Sequence, residues 1–278
     1  MLVENNWLRT NIKERLVNKD IDIKTTISSH EFTPSNFMDA AIDVCNKIKH
    51  HNLFLGLSGG ADSDFVCHLL LQQNIKFTPL IAVTSGNKME RQYAFHTCRK
   101  FNLNPVVFEL SDKDILSIYY ERIFKKLGGI GIYAAQNLFF CDYIKEKGGK
   151  FLSGVNSIGG SHNINNKEIL FISIYEFDFY SDVLYDETFE IPFNLYTPKI
   201  VYETLKRVDY TLNEAEFKND LYSIIDFRPK MSYNYSNNFY EILHKINSKK
   251  QIQYIWKNKT KEELLDMLLD FNNTYKDI

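Results

Sequence analysis

The stretch from Leu53 to Asp64, LFLGLSGGADSD, constrains the fold of this chain more than any other. Leu53-Phe54-Leu55-Gly56-Leu57 is an apolar run of the kind that forms a parallel strand buried on both faces. Ser58-Gly59-Gly60-Ala61-Asp62-Ser63 breaks that pattern, and Phe65, Val66, Leu69 and Leu70 then recur at helical spacing. The reading is a strand, a tight turn and a helix. Paired glycines allow the turn and leave its N–H groups uncovered by side chains. Beside a helix N-terminus, with its unpaired donors and positive dipole end, they make a cradle for an anion. The hydroxyls of Ser58 and Ser63 add donors. Asp62, an acid within a phosphate site, is explained by a divalent cation bound to the same phosphate.

Ser58-Gly59-Gly60-Ala61-Asp62-Ser63 resembles, at all six positions, the SGGxDS pyrophosphate loop of the PP-loop, or N-type, ATP pyrophosphatases. That superfamily includes asparagine synthetase, GMP synthetase, NAD synthetase, argininosuccinate synthetase and tRNA-modifying enzymes. The resemblance implies a doubly wound α/β sheet of the adenine nucleotide α-hydrolase type. It implies cleavage of ATP, with Mg2+, between the α- and β-phosphates. AMP passes to a substrate oxygen, pyrophosphate leaves, and ammonia or an amine displaces AMP. Ser58, Asp62 and Ser63 become the catalytic candidates, residues 58–63 the nucleotide loop, and Asp62 the metal ligand. Two other motifs compete. A Walker loop fails for want of a Lys before its Ser/Thr. Gly56-Leu57-Ser58-Gly59-Gly60 fits the G-x-S-x-G elbow of serine hydrolases, which remains a minor alternative with Ser58 as nucleophile. An ordinary Gly-Ser turn is the plain alternative to all of these.

Around the loop, strands alternate with helices. Thr33-Pro34 reads as a helix start, with Phe37, Ala41, Val44 and Ile48 on one face. Phe77 to Val83 and Pro105 to Leu110 read as strands. Met89 to Lys100 and Asp112 to Lys126 read as helices, the latter with acids where the dipole favours them. This alternation predicts a parallel sheet covered on both faces, with ligands beyond the carboxyl ends of its strands. Ser58 lies at one such end and Thr84-Ser85-Gly86 at the next. The resemblance puts Val83, Thr84 and Ser85 near the adenine or ribose; a plain loop with a helix cap is the other reading. Gly128-Gly129-Ile130-Gly131 suits close packing or a hinge, and Tyr133 to Lys147 a helix.

Phe151 to Gly160 repeats the logic of a short strand followed by glycines and small polar residues. It resembles the second nucleotide loop of asparagine-synthetase-like enzymes, which implies that Gly154 and Asn156 face the nucleotide. The family's turn carries an Asp-Glu pair whose acid helps to bind magnesium. Here Asn156-Ser157-Ile158 holds no acid, so Asp62 acts alone or with a neutral Asn156 oxygen and water. A Gly-rich surface loop is the alternative.

Residues 1–32 read as a short helix and an extended lead-in. From 168 to 197, a β-like run from Ile169 to Ile174, interleaved acids and aromatics, and the alternation Phe189, Ile191, Phe193 suggest an antiparallel segment. It is read as a sheet extension or a substrate-side lid, its acids suiting an amine or simply facing water. Thr197-Pro198 starts a helix, and the tail continues helical through a Thr260-x-x-Glu263 capping box. The division is residues 1–165 as the ATP-binding domain and 166–278 as a β-rich insert and helical C-terminal region on the acceptor side. Lys249, Lys250, Lys257, Lys259 and Lys261 with Tyr254 and Trp256 form a basic–aromatic patch. RNA contact is one reading of it, but acids follow and a solvated surface is preferred.

A net charge of −2 over 278 residues gives no global case for nucleic acid or an anionic membrane. Cys45, Cys67, Cys98 and Cys141 contain no CxxC pair, which speaks against a zinc ribbon and against thiolating relatives. Buried reduced thiols are expected. Without an apolar spanning run or a leader-like start, a soluble cytoplasmic protein is expected. A metal reading of His50 and His51 is weak, since neighbours point apart on a helix or a strand, and surface histidines are the preferred reading. No glutaminase domain is read, so free ammonia, an amine or a separate glutaminase partner is implied, with an unidentified acceptor. The leading reading is an amide- or amidine-forming ligase. A tRNA- or small-molecule-modifying enzyme and an inert nucleotide-binding module are the alternatives.

Overall fold

Twelve residues of helix precede the apolar strand, and their spacing explains both. In the computed structural model, which describes residues 8–10, 25–27, 32–118, 121–122, 133–154, 158–164, 167–172, 190–207, 222 and 224–225, two short strands come first, β1 (Leu8–Thr10) and β2 (Thr25–Ile27). Then follow α1 (Phe37–Ile48), β3 (Leu53–Gly56), α2 (Ala61–Gln72), β4 (Phe77–Val83), α3 (Glu90–Lys100) and β5 (Val106–Glu109). The rest are α4 (Asp112–Ile118), α5 (Tyr133–Lys147), β6 (Lys150–Ser153), β7 (Ile158–Ile164), β8 (Lys167–Ile172), β9 (Glu190–Pro192) and α6 (Pro198–Arg207). In α1, Phe37, Ala40, Ala41, Val44, Cys45 and Ile48 are all buried. This stripe, each large member contributing about 1.5–3 kcal/mol by burial, makes α1 a core helix.

The main sheet has the order β5-β4-β3-β6-β9, and every pairing in it is parallel. Taken in chain order its strands run 3-2-1-4-5, the doubly wound arrangement, with the reversal between β3 and β6. Alternation along β3 divides the two faces. Leu53 and Leu55, continued by Leu57, enter the main core with residues of α1, α2, α3 and α6. Phe54 turns to the opposite face, where Tyr143 of α5 meets its ring edge-on at 6.0 Å. Phe108 of β5 and Phe151 of β6 pack on Phe140 of α5 at 5.1 and 5.7 Å. Both faces of the sheet are therefore covered, as a continuous apolar strand requires.

Several expectations change. Within residues 1–32, β1 and β2 form an antiparallel pair with Leu8 opposite Ile27, and the short helix expected there is a reading that falls outside the described residues. The cap of α1 is Asn36, whose side chain accepts from the Asp39 N–H at 2.9 Å; Thr33-Pro34 precedes it. Asn is among the strongest N-caps, and its reach to N3 outweighs a favourable Pro upstream. Thr197-Pro198 does start α6, with the Thr197 hydroxyl accepting from the Ile200 N–H. The glycines Gly159-Gly160 lie inside β7, which pairs antiparallel with β8 and shifts register between Gly159 and Ser161. A bulge is a place where glycine is tolerated in a strand. The expected antiparallel extension is thus β7–β8, whereas β9 joins the main sheet parallel to β6. Period-two alternation carries no strand direction and so does not distinguish the two.

His50 and His51 do not diverge: their ring centroids lie 3.9 Å apart at the turn after α1. Outside regular structure the rule that neighbours point apart does not apply. Among the described residues no group of three or more His, Cys, Asp or Glu is placed to hold a metal, and no helix is long and apolar enough to cross a membrane. All four cysteines are buried, and none is in a disulfide. Burial pushes the Cys45 thiol up to about 12 and the Cys98 thiol to about 11. The helix expected from Asp112 is described as far as Ile118. The Gly128–Gly131 cluster, Asn156, the Lys-rich patch and the capping box at Thr260 lie outside the described residues.

Candidate nucleotide site

The strand order reverses between β3 and β6, which makes this the switch point of the doubly wound sheet. This opens a crevice at the carboxyl edge. The loop after β3 and the residue after β6 both stand there. Ser58 is exposed, Gly60, Ala61 and Asp62 are half-buried, and Gly59 and Ser63 are buried. Gly60 is the N-cap of α2 and provides no side-chain cap. The first-turn donors of α2 are thus not claimed by a capping side chain, as an anion site requires.

A ring of hydrogen bonds shapes the loop. The Ser63 hydroxyl donates to the Gly60 carbonyl at 3.2 Å and accepts from the Ser58 N–H at 3.2 Å. The two serine hydroxyls are 3.1 Å apart, and the Gly60 N–H donates to the Ser58 Oγ at 3.2 Å. Gly59 holds a φ of 93°, a region that favours glycine. A Cβ there would also overlap the Glu90 carbonyl oxygen of α3 and come within 2.9 Å of the Ala94 nitrogen. Close approach of loop to helix therefore fixes this position as glycine.

Gly154, immediately after β6, faces the same turn. A Cβ on it would lie 2.6 Å from the Ser63 Cα and 2.8 Å from the Ser63 nitrogen. Its carbonyl accepts from the Asn194 side-chain amide at 2.9 Å. The second glycine stretch thus lies against the first loop at Gly154. At the next strand end, Val83 closes β4 and is half-buried, Thr84 is buried and Ser85 is exposed. The hydrogen bonds of these residues run elsewhere than to the loop. Asn87 accepts from the Thr84 N–H at 2.9 Å and donates to the Ala82 carbonyl at 2.7 Å, and the Ser85 hydroxyl donates to Asp112 at 2.5 Å. The Thr84 and Ser153 hydroxyls, buried at the ends of β4 and β6, have no hydrogen-bond partner among the described residues. Buried polar atoms are nearly always paired, so such orphans at strand ends suit a ligand.

Sequence reasoning missed four residues. Tyr222 donates its hydroxyl to Asp62 Oδ1 at 2.8 Å. Asn194 holds Gly154, and Asn87 holds Thr84. Thr97 of α3 donates to the fully buried Asp64 of α2 at 2.6 Å, tying α2 to the helix against which Gly59 packs. Asn194 is a polar residue in an apolar stretch and offered a faint signal. Tyr222 offered none.

No protein-family model and no curated protein matches this chain. It is similar to solved structures of an NMN synthetase from Francisella tularensis (14% identity, TM-score 0.36, 78% of this chain and 94% of that one). A second is an NH3-dependent NAD synthetase from Campylobacter jejuni (19% identity, TM-score 0.33, 77% of this chain and 94% of that one). Neither bears out the nearer resemblance to asparagine-synthetase-like domains, and at these scores the fold rests on the strand order itself.

Proposed function

We propose that this chain is a PP-loop enzyme that cleaves ATP to AMP and pyrophosphate and activates a substrate oxygen for attack by ammonia or an amine. The observation that carries the reading is the joining of two glycine turns at the switch point. The 58–63 loop, closed on itself by the two serines, faces Gly154 across the head of α2. Donors held in place before reaction stabilise charge as it develops on a leaving pyrophosphate, and one such donor is worth about 10²–10³ in rate. Thr84, Ser85 and Val83 fall to the adenosine side, where the orphan Thr84 hydroxyl suits a ribose or ring acceptor. Asn156 is proposed beside them from sequence alone. Residues 166–278 form the acceptor side in this reading. Buried cysteines outside any disulfide suit a reducing, cytoplasmic setting.

The donor set fits magnesium in its phosphate-bound form. Asp62 gives one hard carboxylate in the first turn of α2 and no multi-ligand cluster exists among the described residues. Magnesium on phosphates keeps several waters and needs one or two carboxylates. Bound there, it would neutralise phosphate charge. The chain's own residues position the phosphates through loop N–H groups and hydroxyls, and hold acceptor and ATP together.

The serine-hydrolase alternative loses ground. The elbow serine sits on a strained turn. Among the described non-glycine residues, Asn74 and Asn102 take positive φ, and Ser58 does not. β3 is also the first strand of the main sheet in chain order. The test is product analysis of radiolabelled ATP with magnesium, ammonia and a panel of carboxylic acceptors. AMP and pyrophosphate in equal amounts, lost in Asp62→Ala, are expected. ADP as the nucleotide product, or stoichiometric labelling of Ser58 by a fluorophosphonate, contradicts the proposal.

A further inference from the structure

Tyr222 is fully buried, yet its hydroxyl reaches the carboxylate at the mouth of the candidate site. Its ring stacks on Phe65 of α2 at 4.5 Å and 19° and lies 5.9 Å from Phe37 of α1. Phe65 is one helical turn beyond Asp62, so the surface that fixes the ring belongs to the helix that carries the acid. The segment around it is held as well: the Ile225 N–H donates to the Tyr222 carbonyl at 3.1 Å, and Ile224 and Ile225 pack against the main core. The phenol therefore arrives at Oδ1 from a platform with little freedom to move.

The chemistry of this partner matters. A lysine or arginine in the same place would pin the carboxylate and also cancel its charge. A phenol, unionised near neutral pH, pins it and brings no charge of its own. An anchored carboxylate, its oxygens held in one orientation, is what a cation bound to phosphate needs. Carboxylates that bind metals are commonly held by such hydrogen bonds, and loss of the partner costs about 10–100-fold in metal affinity or activity.

We propose that Tyr222 is the positioning residue for Asp62, so that the chain beyond α6 supplies part of the cation-binding end of the nucleotide site. This rests on the nucleotide reading above. Its stated ligand class is a magnesium–nucleoside triphosphate complex, not the nucleotide alone. Tyr222→Phe removes the hydroxyl and keeps the stacked ring.

The test is titration calorimetry of ATP into the full chain, once with excess magnesium and once with EDTA, for wild type, Tyr222→Phe, Asp62→Asn and the double variant. Tyr222→Phe is expected to weaken ATP binding in magnesium by about 10-fold and to leave the EDTA value unchanged. In the Asp62→Asn background the same change is expected to have no effect. Equal losses in magnesium and EDTA, or a loss that persists in the Asp62→Asn background, in a Tyr222→Phe protein whose circular dichroism and urea midpoint match wild type, would assign Tyr222 to packing and overturn the inference. Wild-type binding with no change in Tyr222→Phe overturns the inference alone. No ATP binding by wild type in either buffer overturns the nucleotide reading itself.

Discussion

Gly154 is where the two halves of the candidate site touch, and its missing side chain is what lets them. Its hypothetical Cβ at 2.6 Å from the Ser63 Cα meets backbone, which does not swing aside as a flexible side chain does. Gly148 makes the comparison. It has a φ of 66° and nothing within 4 Å of a built Cβ, so Gly148→Ala carries conformational strain alone, about 1–2 kcal/mol. Gly154→Ala is expected to separate the β6 turn from α2 and weaken ATP binding at least 10-fold, while Gly148→Ala lowers stability and leaves ATP affinity as it was. Chemical denaturation and ATP titration of the two variants check this. Equal ATP affinity in Gly154→Ala and wild type would mean that the contact of the two turns does not shape the site.

At the scale of elements, the turn between α1 and β3 carries a pH dependence remote from the nucleotide loop. It precedes the amino end of β3, whereas the loop follows the carboxyl end. Burial, then the neighbouring charges of His50 and Lys150, lower the His51 imidazole to about 4 from its ordinary 6.5. Its Nε2 is buried without a hydrogen-bond partner among the described residues. The folded state therefore keeps His51 neutral where the unfolded chain takes up a proton. This contribution is whole above pH 6.5 and is lost as pH falls towards about 4. Urea unfolding at a series of pH values should show a decline across that window, and His51→Asn should reduce its slope. An identical slope in the variant would show that other groups carry the acid sensitivity. The element scale also shows how direction escapes a pattern. β3 and β4 announce themselves by apolar runs and α1 by its periodicity, but β9 has three residues, too few to fix a period or a partner.

Across the whole molecule, what could be read from the sequence was contiguous and what could not was assembled by folding. The loop is six adjacent residues whose chemistry is local, so Ser58, Gly59, Gly60, Asp62 and Ser63 stood out before any fold was known. The 3-2-1-4-5 order followed only as far as alternating elements imply a parallel sheet. Tyr222 meets Asp62 across 160 positions, Asn194 meets Gly154 across 40 and Thr97 meets Asp64 across 33. No spacing rule reaches so far, because such contacts depend on how the sheet orders its strands and which helix face turns inward. The central claim is that the 58–63 loop is a pyrophosphate cradle. Competition of inorganic pyrophosphate against magnesium-ATP in titration calorimetry tests it most directly. ATP binding to one site, displaced by pyrophosphate and weakened in Ser63→Ala, is the predicted result. ATP binding that pyrophosphate does not displace, or no ATP binding at millimolar concentration, would contradict it.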